Sequence, residues 1–367
     1  MKLSLFSTLR GYRKEYLPKD IFSGIIIAAV SIPISMGYAQ ISGIPAVYGL
    51  YGSVLPILLF ALFSTSRQFI FGVDAAPAAI VGGALSTLGI AAESEAAMDY
   101  VPAIALFAGL WLFIFFLLHA DKIVDFISTP VMGGFISGIA VTIILMQIPK
   151  LMGSPAGSGE LLELAEHIFA AAKNISWLSL FMGLGALVLI RTFKKLAPKF
   201  PMAIVIMALG VLSTVVFHVD EKGVVLLQSV ERGLPSLVIP DFGNVDLTQA
   251  AGRGLMVAVV IMAETLLAEN TFAFRNDYKL NDRQEILACA AGNIAAAAVG
   301  CCPVNGSISR TSLNEQYDGK SQAVSITAGI TMALILLFGT GFIGYLPVPV
   351  LTLSLIHISE PTRLALI

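Results

Sequence analysis

Ten long runs of apolar residues restrict the folds open to this chain more than any other feature of its sequence. They cover residues 21–41, 46–64, 72–90, 101–119, 127–149, 177–193, 202–218, 254–273, 286–302 and 322–343, and a partial run begins near 346. A transmembrane helix needs about 20 mainly apolar residues. The chain is therefore predicted to be an all-α, multi-pass membrane protein with roughly ten to twelve crossings.

The composition agrees with this and excludes several functional classes. Apolar residues make up 57% of the chain and charged residues 13%, whereas soluble domains have about 45–50% and about 25%. The net charge of -2 gives no reason to expect a nucleic-acid partner. Cys289, Cys301 and Cys302 lie in or beside apolar runs without a CxxC spacing, which predicts buried thiols rather than a metal or redox centre. With no nucleophile elbow or phosphate-binding loop in the sequence, we expect neither an enzyme nor a cofactor.

The positions of Lys and Arg predict the orientation. With the N-terminus in the cytoplasm and each run counted as one crossing, 15 of the 22 basic residues fall on the inner side and 5 on the outer side. This bias follows the positive-inside rule. We therefore expect a multi-pass membrane protein, in contact with membrane lipid, with a cytoplasmic N-terminus. The segments near 150–176 and 219–250 are predicted to be outer linkers.

Two similar stretches indicate an internal repeat. GIIIAAVSIPISMGYA begins at Gly24 and GLMVAVVIMAETLLAE at Gly254. The segments GVDAAP and PVNGSI follow at matching places, with Asp74 lying 50 residues after Gly24 and Asn305 51 residues after Gly254. Seven crossings separate the two starts, so the second half is inverted. Interrupted helices at corresponding places of inverted repeats are the best sequence pointer to a transporter's binding site.

Arg310 has the most informative position of any charged residue. It lies in SISRT, within a short helix predicted to start after the break at 303–306. A charge at membrane depth is costly and marks a pathway or ligand site, and a helix N-terminus adds free N–H groups and the positive end of the dipole. We predict an anion pocket here. The alternative is a structural ion pair with Glu315 or Glu264.

Two carboxylates lie on the run at 254–273. Glu264 is ten residues past Gly254, about 15 Å along a helix, which places it near the bilayer midplane. It could carry a proton or help to bind Na⁺ and so couple a cation to an anion at Arg310. The alternative is a protonated Glu264 hydrogen-bonded within the bundle. Glu269 lies closer to the inner interface and is predicted to be solvated or structural.

The first repeat contributes a second set of candidates. Asp74 is predicted to be the N-cap of a short helix, accepting a hydrogen bond from its backbone N–H groups. Alternatively, its charge tunes anion affinity or binds the co-transported cation. Pro33 is predicted to interrupt the first run. Tyr38 and Ser35, just after it, are expected to face the same cavity, although their spacing also suits ordinary packing.

Several stretches resemble the SulP anion permeases, the bacterial relatives of the animal sulfate, chloride and bicarbonate exchangers. They are AVYGLYGSVLPILLFALFSTSR (46–67), SMGYAQISGIPAVYGLY, GVDAA and EILACAAGNIAAAAVGCCPVNGSISRT. The likeness spans about 20–352 and implies a seven-plus-seven transmembrane inverted-repeat transporter fold, with core and gate domains and assembly as a homodimer. It assigns a small inorganic anion to the third and tenth helix starts and the first helix, at Tyr38, Asp74, Ala75, Ala76, Gly306, Ser307, Ser309 and Arg310. It assigns a coupling-ion role to Glu264.

The resemblance also predicts how the chain is divided. The expected segments are a cytoplasmic basic N-terminus at 1–19, a first repeat at 20–218, an external linker at 219–250 and a partial second repeat at 251–352. The family's cytoplasmic STAS domain has no counterpart in this sequence. LSLIHISEPTR resembles a translated sequencing adaptor, so 353–367 is expected to be a non-native tail and the chain a truncated fragment.

Three functions remain open from the sequence. The first is a secondary active transporter of a small inorganic anion of the sulfate, bicarbonate or chloride class, coupled to Na⁺ or H⁺ and working by elevator-like alternating access. The second is a nucleobase-type transporter of the same fold, against which Arg310 and its flanking hydroxyls argue. The third is a non-transporting membrane sensor or scaffold, which would not need a site built from both halves.

Overall fold

The apolar runs fold into helices in the computed structural model, which describes residues 5–122, 129–155, 157, 161–196 and 202–352. The helices are α1 (Leu17–Ile41), α2 (Val47–Tyr51), α3 (Leu55–Phe63), α4 (Ala75–Thr87), α5 (Glu95–Leu118), α6 (Thr129–Leu151), α7 (Leu161–Lys173), α8 (Trp177–Leu196), α9 (Met202–Phe217), α10 (Leu247–Arg275), α11 (Asp282–Ala298), α12 (Ile308–Gln316) and α13 (Ala323–Leu334). Two short strands, β1 (Ile70–Gly72) and β2 (Asn305–Ser307), precede α4 and α12. The expected tail at 353–367 lies outside the described residues.

Some of these helices are long and apolar enough to cross a membrane. Within the described residues, length and composition qualify Lys14–Ile41, Glu95–Leu118, Leu247–Arg275 and Ala323–Tyr345. The pair Leu162–Lys173 and Trp177–Phe193, bent by 112°, qualifies only when it is counted as one span. Other apolar runs form shorter helices, because extended segments or turns take up part of their length. The runs at 46–64 and 72–90 are of this kind.

Two local expectations were wrong. Pro33 does not interrupt the first run, because α1 continues through it from Leu17 to Ile41. Proline is tolerated within membrane helices where the surroundings compensate for the lost hydrogen bond. The predicted linker at 150–176 contains α7. This helix has apolar residues on one side, and its polar residues include Glu163, Glu166 and His167. A 13-residue amphipathic helix of this kind produces no long apolar run in the sequence.

The chain folds into two compact units, and each takes segments from both halves of the sequence. The first unit comprises Met1–Phe135 and Leu234–Ala333, and the second comprises Ile136–Gly233 and Leu334–Ile367. In the second unit, Ala186 and Ile190 of α8 pack with Met202 and Ile206 of α9 and with Val350. The first unit contains every residue predicted to bind the anion or the coupling ion.

Close helix packing positions the site within the first unit. Helix α5 packs against α10 and α11, and α11 also packs against α3. A Cβ on Gly254 would lie 3.0 Å from the backbone nitrogen of Ala108, and one on Gly109 would lie 2.9 Å from that of Ile294. Small residues of this kind let membrane helices approach closely. The packing fixes α10 and the chain leaving α11, and therefore the places of Glu264 and β2.

Candidate functional site

The site is built around a small antiparallel sheet in which Ile70 pairs with Ser307 and Gly72 with Asn305. Strand β1 leads into α4 and β2 leads into α12. Because the strands are antiparallel, α4 and α12 begin at opposite ends of the sheet. The sheet between them is about 7 Å long at 3.4 Å per residue. The predicted breaks in both repeats are confirmed as extended segments within the first unit.

Arg310 spans the distance between the two helix starts. Its side chain projects from the first turn of α12 and is 1% exposed. Nη2 donates to the carbonyl oxygen of Val73 at 2.8 Å, and Nη1 donates to the Ser31 hydroxyl at 3.4 Å. Nε is buried and has no hydrogen-bond partner among the described residues. The guanidinium group is thus held against the start of α4, and its Nε–H is among the donors left for a ligand.

The ion pair with Glu315 that was considered for Arg310 does not form. Glu315 pairs with Arg275, with 3.5 Å between Oε2 and Nη1, and also accepts a hydrogen bond from Asn276. The groups that interact electrostatically with Arg310 are Asp74 and Tyr38. Arg310 therefore faces the junction of α1 and α4.

Asp74 occupies the N-cap position of α4, as predicted, but its side chain makes no capping hydrogen bond. The expected acceptor role is therefore wrong, while the attraction to Arg310 places the carboxylate beside the site. Ala75 and Ala76 begin α4 and are buried. The first N–H groups of a helix have no partner within it, so α4 presents these donors at the site.

The start of α12 provides hydroxyl groups. Ser307 is the N-cap residue, and its hydroxyl lies 3.2 Å from that of Ser309. Gly306 has a steric role, since a Cβ there would lie 2.0 Å from the Phe69 ring. The Gly306 N–H donates to the Thr265 hydroxyl at 3.3 Å.

Glu264 is joined to the same strand from the side of α10. Its Oε2 accepts a hydrogen bond of 2.7 Å from Asn305, and the side chain is 3% exposed. Asn305 in turn accepts one of 2.6 Å from the Thr265 hydroxyl. The carboxylate therefore contacts the first residue of β2, which leads directly to the Ser307 hydroxyl and Arg310.

Comparison with known proteins identifies the family. The model of the sulfate permease family matches residues 17–361. The chain belongs to the sulfate permease family.

Curated relatives of this family member include a probable sulfate transporter of Mycobacterium tuberculosis, 26% identical over 97% of this chain and 65% of the relative. The chloroplastic sulfate transporter 4.1 of Arabidopsis thaliana is 30% identical over 93% of this chain and 51% of its own length. The chain thus spans about half to two-thirds of the length of these relatives.

Solved structures show the fold. The transmembrane domain of the cyanobacterial bicarbonate transporter BicA matches 96% of this chain and 90% of its own length, with a TM-score of 0.84 and 19% identity. Murine Slc26a9, an anion transporter in its inward-facing state, matches 98% of this chain and 62% of its own, also with a TM-score of 0.84 and 19% identity. The predicted fold class of this permease family member, an all-α seven-plus-seven membrane transporter fold, is confirmed.

Some residues of the site were missed or misplaced by sequence reasoning. Ser35 bonds to the Ser53 hydroxyl at 2.7 Å rather than facing Arg310, and Ser31, one turn earlier, reaches the guanidinium. The carbonyl of Val73 gave no signal in the sequence, because every residue has one. Glu269 is fully buried and not solvated, since α11 covers the face of α10 on which it lies.

The three cysteines of this family member are buried and free, as predicted. Across the described ranges, His, Cys, Asp and Glu side chains form no group of three or more that could hold a metal ion.

Proposed function

We propose that this chain forms the membrane domain of a secondary active transporter for a small inorganic anion of the sulfate, bicarbonate or chloride class. The observation that carries the proposal is the buried guanidinium of Arg310, which reaches from the first turn of α12 to the start of α4 with its Nε–H unpaired among the described residues. A cation and oriented N–H groups in one place form an anion site. The sulfate and bicarbonate transport named for relatives and structural neighbours supports the same class.

The anion would be bound mainly by hydrogen bonds. Ala75 and Ala76 supply N–H groups from α4, Ser309 supplies one from α12, and the Ser307 and Ser309 hydroxyls lie beside it. Such a set does not require a planar ligand, which favours a small inorganic anion over a nucleobase. A site of this kind performs no chemistry on its ligand, so the proposed role is transport rather than catalysis.

Glu264 is the proposed coupling group. A proton or Na⁺ at this buried carboxylate would change the charge beside Asn305 and therefore at the start of β2. Because β2 leads into α12, the charge at Glu264 acts on the donors that bind the anion. The proposal thus links one cation, Na⁺ or H⁺, to one anion without any further cofactor.

The proposed transport cycle is an elevator-like alternation. Every anion-site and coupling residue lies in the first unit, so this unit can carry a complete site as one body. The proposal includes a homodimer in the bacterial inner membrane, in contact with lipid, with the N-terminus in the cytoplasm.

Uptake into liposomes tests this function. The full-length protein is reconstituted and supplied with labelled sulfate, bicarbonate or chloride under an inward Na⁺ or H⁺ gradient. We expect uptake of at least one anion above that of protein-free vesicles, with no competition from nucleobases. Absence of uptake for all three anions under either gradient would contradict the proposal, and uptake inhibited by a nucleobase would favour the second candidate.

A further inference from the structure

Glu269 presents a buried carboxyl group that the anion site does not use. It lies on α10, five residues and about 7.5 Å along the helix from Glu264. Its side chain is 0% exposed. Neither carboxyl oxygen receives a hydrogen bond from an N–H or O–H group within the described part of the chain.

The group that interacts with the Glu269 carboxyl is a second carboxyl group, that of Glu285 on α11. The two helices lie side by side here, since Asn270, the residue after Glu269, donates to Asp282 of α11 at 3.0 Å. Glu285 is also 0% exposed. Its Oε2 accepts from the Ser64 hydroxyl at 2.7 Å, and its Oε1 accepts from the Thr65 backbone N–H at 2.5 Å and from the Thr65 hydroxyl. These three donors stabilise Glu285 in its charged form.

If Glu269 and Glu285 were both ionised, both would be acceptors with no donor between them. Buried like charges repel strongly, and such pairs hold one proton between them. Since Glu285 already has its donors, the proton belongs on Glu269, which then donates to Glu285. One proton on Glu269 therefore gives this side chain a hydrogen bond and removes the repulsion between the two carboxyl groups.

The other ionisable groups near Glu269 are acidic or neutral. Asp282 and Cys289 face it from α11, and Tyr278 faces it from the loop between α10 and α11. Burial raises the pKa of the Tyr278 hydroxyl to about 12, with smaller contributions from the charges of Glu269 and Glu285. The guanidinium carbon of Arg67 lies 5.5 Å from the centre of the Tyr278 ring, so Arg67 contacts Tyr278 and not the carboxyl pair. None of these neighbours supplies a positive charge to the carboxyl pair itself.

We propose that Glu269 and Glu285 form a proton-binding carboxyl pair, separate from the anion site, in which Glu269 carries the proton and shares it with Glu285. A proton fits better than a metal ion, because the oxygens of Glu285 are already occupied by the donors of Ser64 and Thr65. Release of the proton leaves two buried negative charges between α10 and α11. Because α10 also carries Glu264, the protonation of this pair acts on the helix that borders the anion site.

Infrared difference spectroscopy tests the pair directly. The full-length protein in lipid is titrated from acid to alkaline pH without transported anion, and the carbonyl stretch of protonated carboxyl groups is recorded in H₂O and D₂O. We expect a deuterium-sensitive band that is lost on alkalisation and is missing in Glu269→Gln. The amide keeps a donor toward Glu285, so this variant should fold.

Two further variants complete the test. Glu315→Gln removes a carboxylate paired with Arg275 and should leave the band unchanged. Glu285→Gln should shift the band, because Glu269 then donates to a neutral acceptor. A carboxyl-band spectrum of Glu269→Gln identical to that of the wild type, or the absence of any such band, would overturn the proposal. A band that is lost in Glu264→Gln but not in Glu269→Gln belongs to Glu264 and would overturn it as well. Loss of the band on adding Na⁺ at constant pH would overturn it in favour of a metal site. The infrared measurement needs no transport, so its outcome does not depend on whether the proposed transport function is correct.

Discussion

At the scale of single residues, the site depends on how Arg310 is held. Its guanidinium group donates to the backbone carbonyl of Val73, between β1 and α4, and to the hydroxyl of Ser31 on α1. Burying a cation is costly unless it is hydrogen-bonded or paired, and the nearby Asp74 carboxylate offsets part of that cost. The arrangement leaves Nε–H as a preorganised donor, so the proposed anion would not have to order the side chain.

Gly72 provides the space in which the guanidinium lies. A Cβ there would be 2.9 Å from Arg310 Nη1, so Gly72→Ala should displace the group from the helix starts. We expect anion affinity to fall by about tenfold, or about 1.4 kcal/mol, as measured by concentration-dependent uptake. Gly83→Ala is the matched control, because a Cβ at Gly83 has nothing within 4 Å. Equal affinities in the two variants would count against this placement of Arg310.

Glu264 is predicted to determine the cation dependence of transport. In Glu264→Gln the amide oxygen can still accept from Asn305, while the charge is lost. We expect the Na⁺ or pH dependence of anion uptake to disappear, with the exposed Glu95→Gln serving as control. If Glu264→Gln retained the wild-type response to both cations, the residue would have no part in coupling.

Residue-level prediction from sequence succeeded where a residue type is rare in its setting. Arg310 at membrane depth and the small, polar breaks at Asp74 and Asn305 could be recognised for that reason. Ser31 and Val73 could not, since their contacts join residues 279 and 237 positions apart. The two alternatives for Glu269, solvated or structural, could not be separated from α10 alone, because its burial and its neighbour Glu285 come from α11.

At the scale of elements, the polar contacts at the ends of the helices hold the first unit together. Asp20, in the first turn of α1, is fully buried. Its carboxylate accepts from the Lys320 backbone N–H at 2.6 Å, the Ser321 hydroxyl at 2.7 Å and the Tyr12 hydroxyl at 2.9 Å. It thereby joins α1 to the N-terminal segment and to the turn before α13.

Asp20→Ala should therefore destabilise the fold. A hydrogen bond to a charged group contributes about 1.5–3 kcal/mol, and losing three should lower the free energy of unfolding by at least about 2 kcal/mol. Thermal unfolding in detergent measures the change. Lys19→Ala is the control, since it removes an exposed ion pair with Asp318, and such pairs contribute about 0–1 kcal/mol. Similar melting temperatures for the two variants would show that Asp20 does not join these elements.

Element prediction followed the apolar pattern and failed where that pattern is not decisive. Some long runs gave helices at nearly the expected bounds, as for α8 and α9, whereas α5 begins six residues before its run. Helix α7 was missed because its 13 residues mix apolar and charged side chains. The break expected at Pro33 did not occur, since a proline in a buried helix is compensated by its surroundings, which a local pattern does not reveal.

At the scale of the whole molecule, the two units are interleaved in sequence. The first unit takes β1 and α4 from one half and β2 and α12 from the other, so neither half can form the site alone. The matched spacing of the two breaks indicated this pairing in advance. The composition of the second unit could not be foreseen, because it depends on long-range contacts such as that of Leu226 with Pro347.

The central claim is that Arg310 binds the transported anion. Calorimetric titration of the purified full-length protein with sulfate, bicarbonate and chloride tests it most directly, with Arg310→Ala compared against Arg275→Ala. Loss of a charge-assisted hydrogen bond costs about 1.5–3 kcal/mol, so Arg310→Ala should weaken binding of the preferred anion by about tenfold to a hundredfold. Arg275 is paired with Glu315 away from the helix starts. Arg275→Ala should therefore leave the anion affinity unchanged. Wild-type affinity in a folded Arg310→Ala variant would contradict the account.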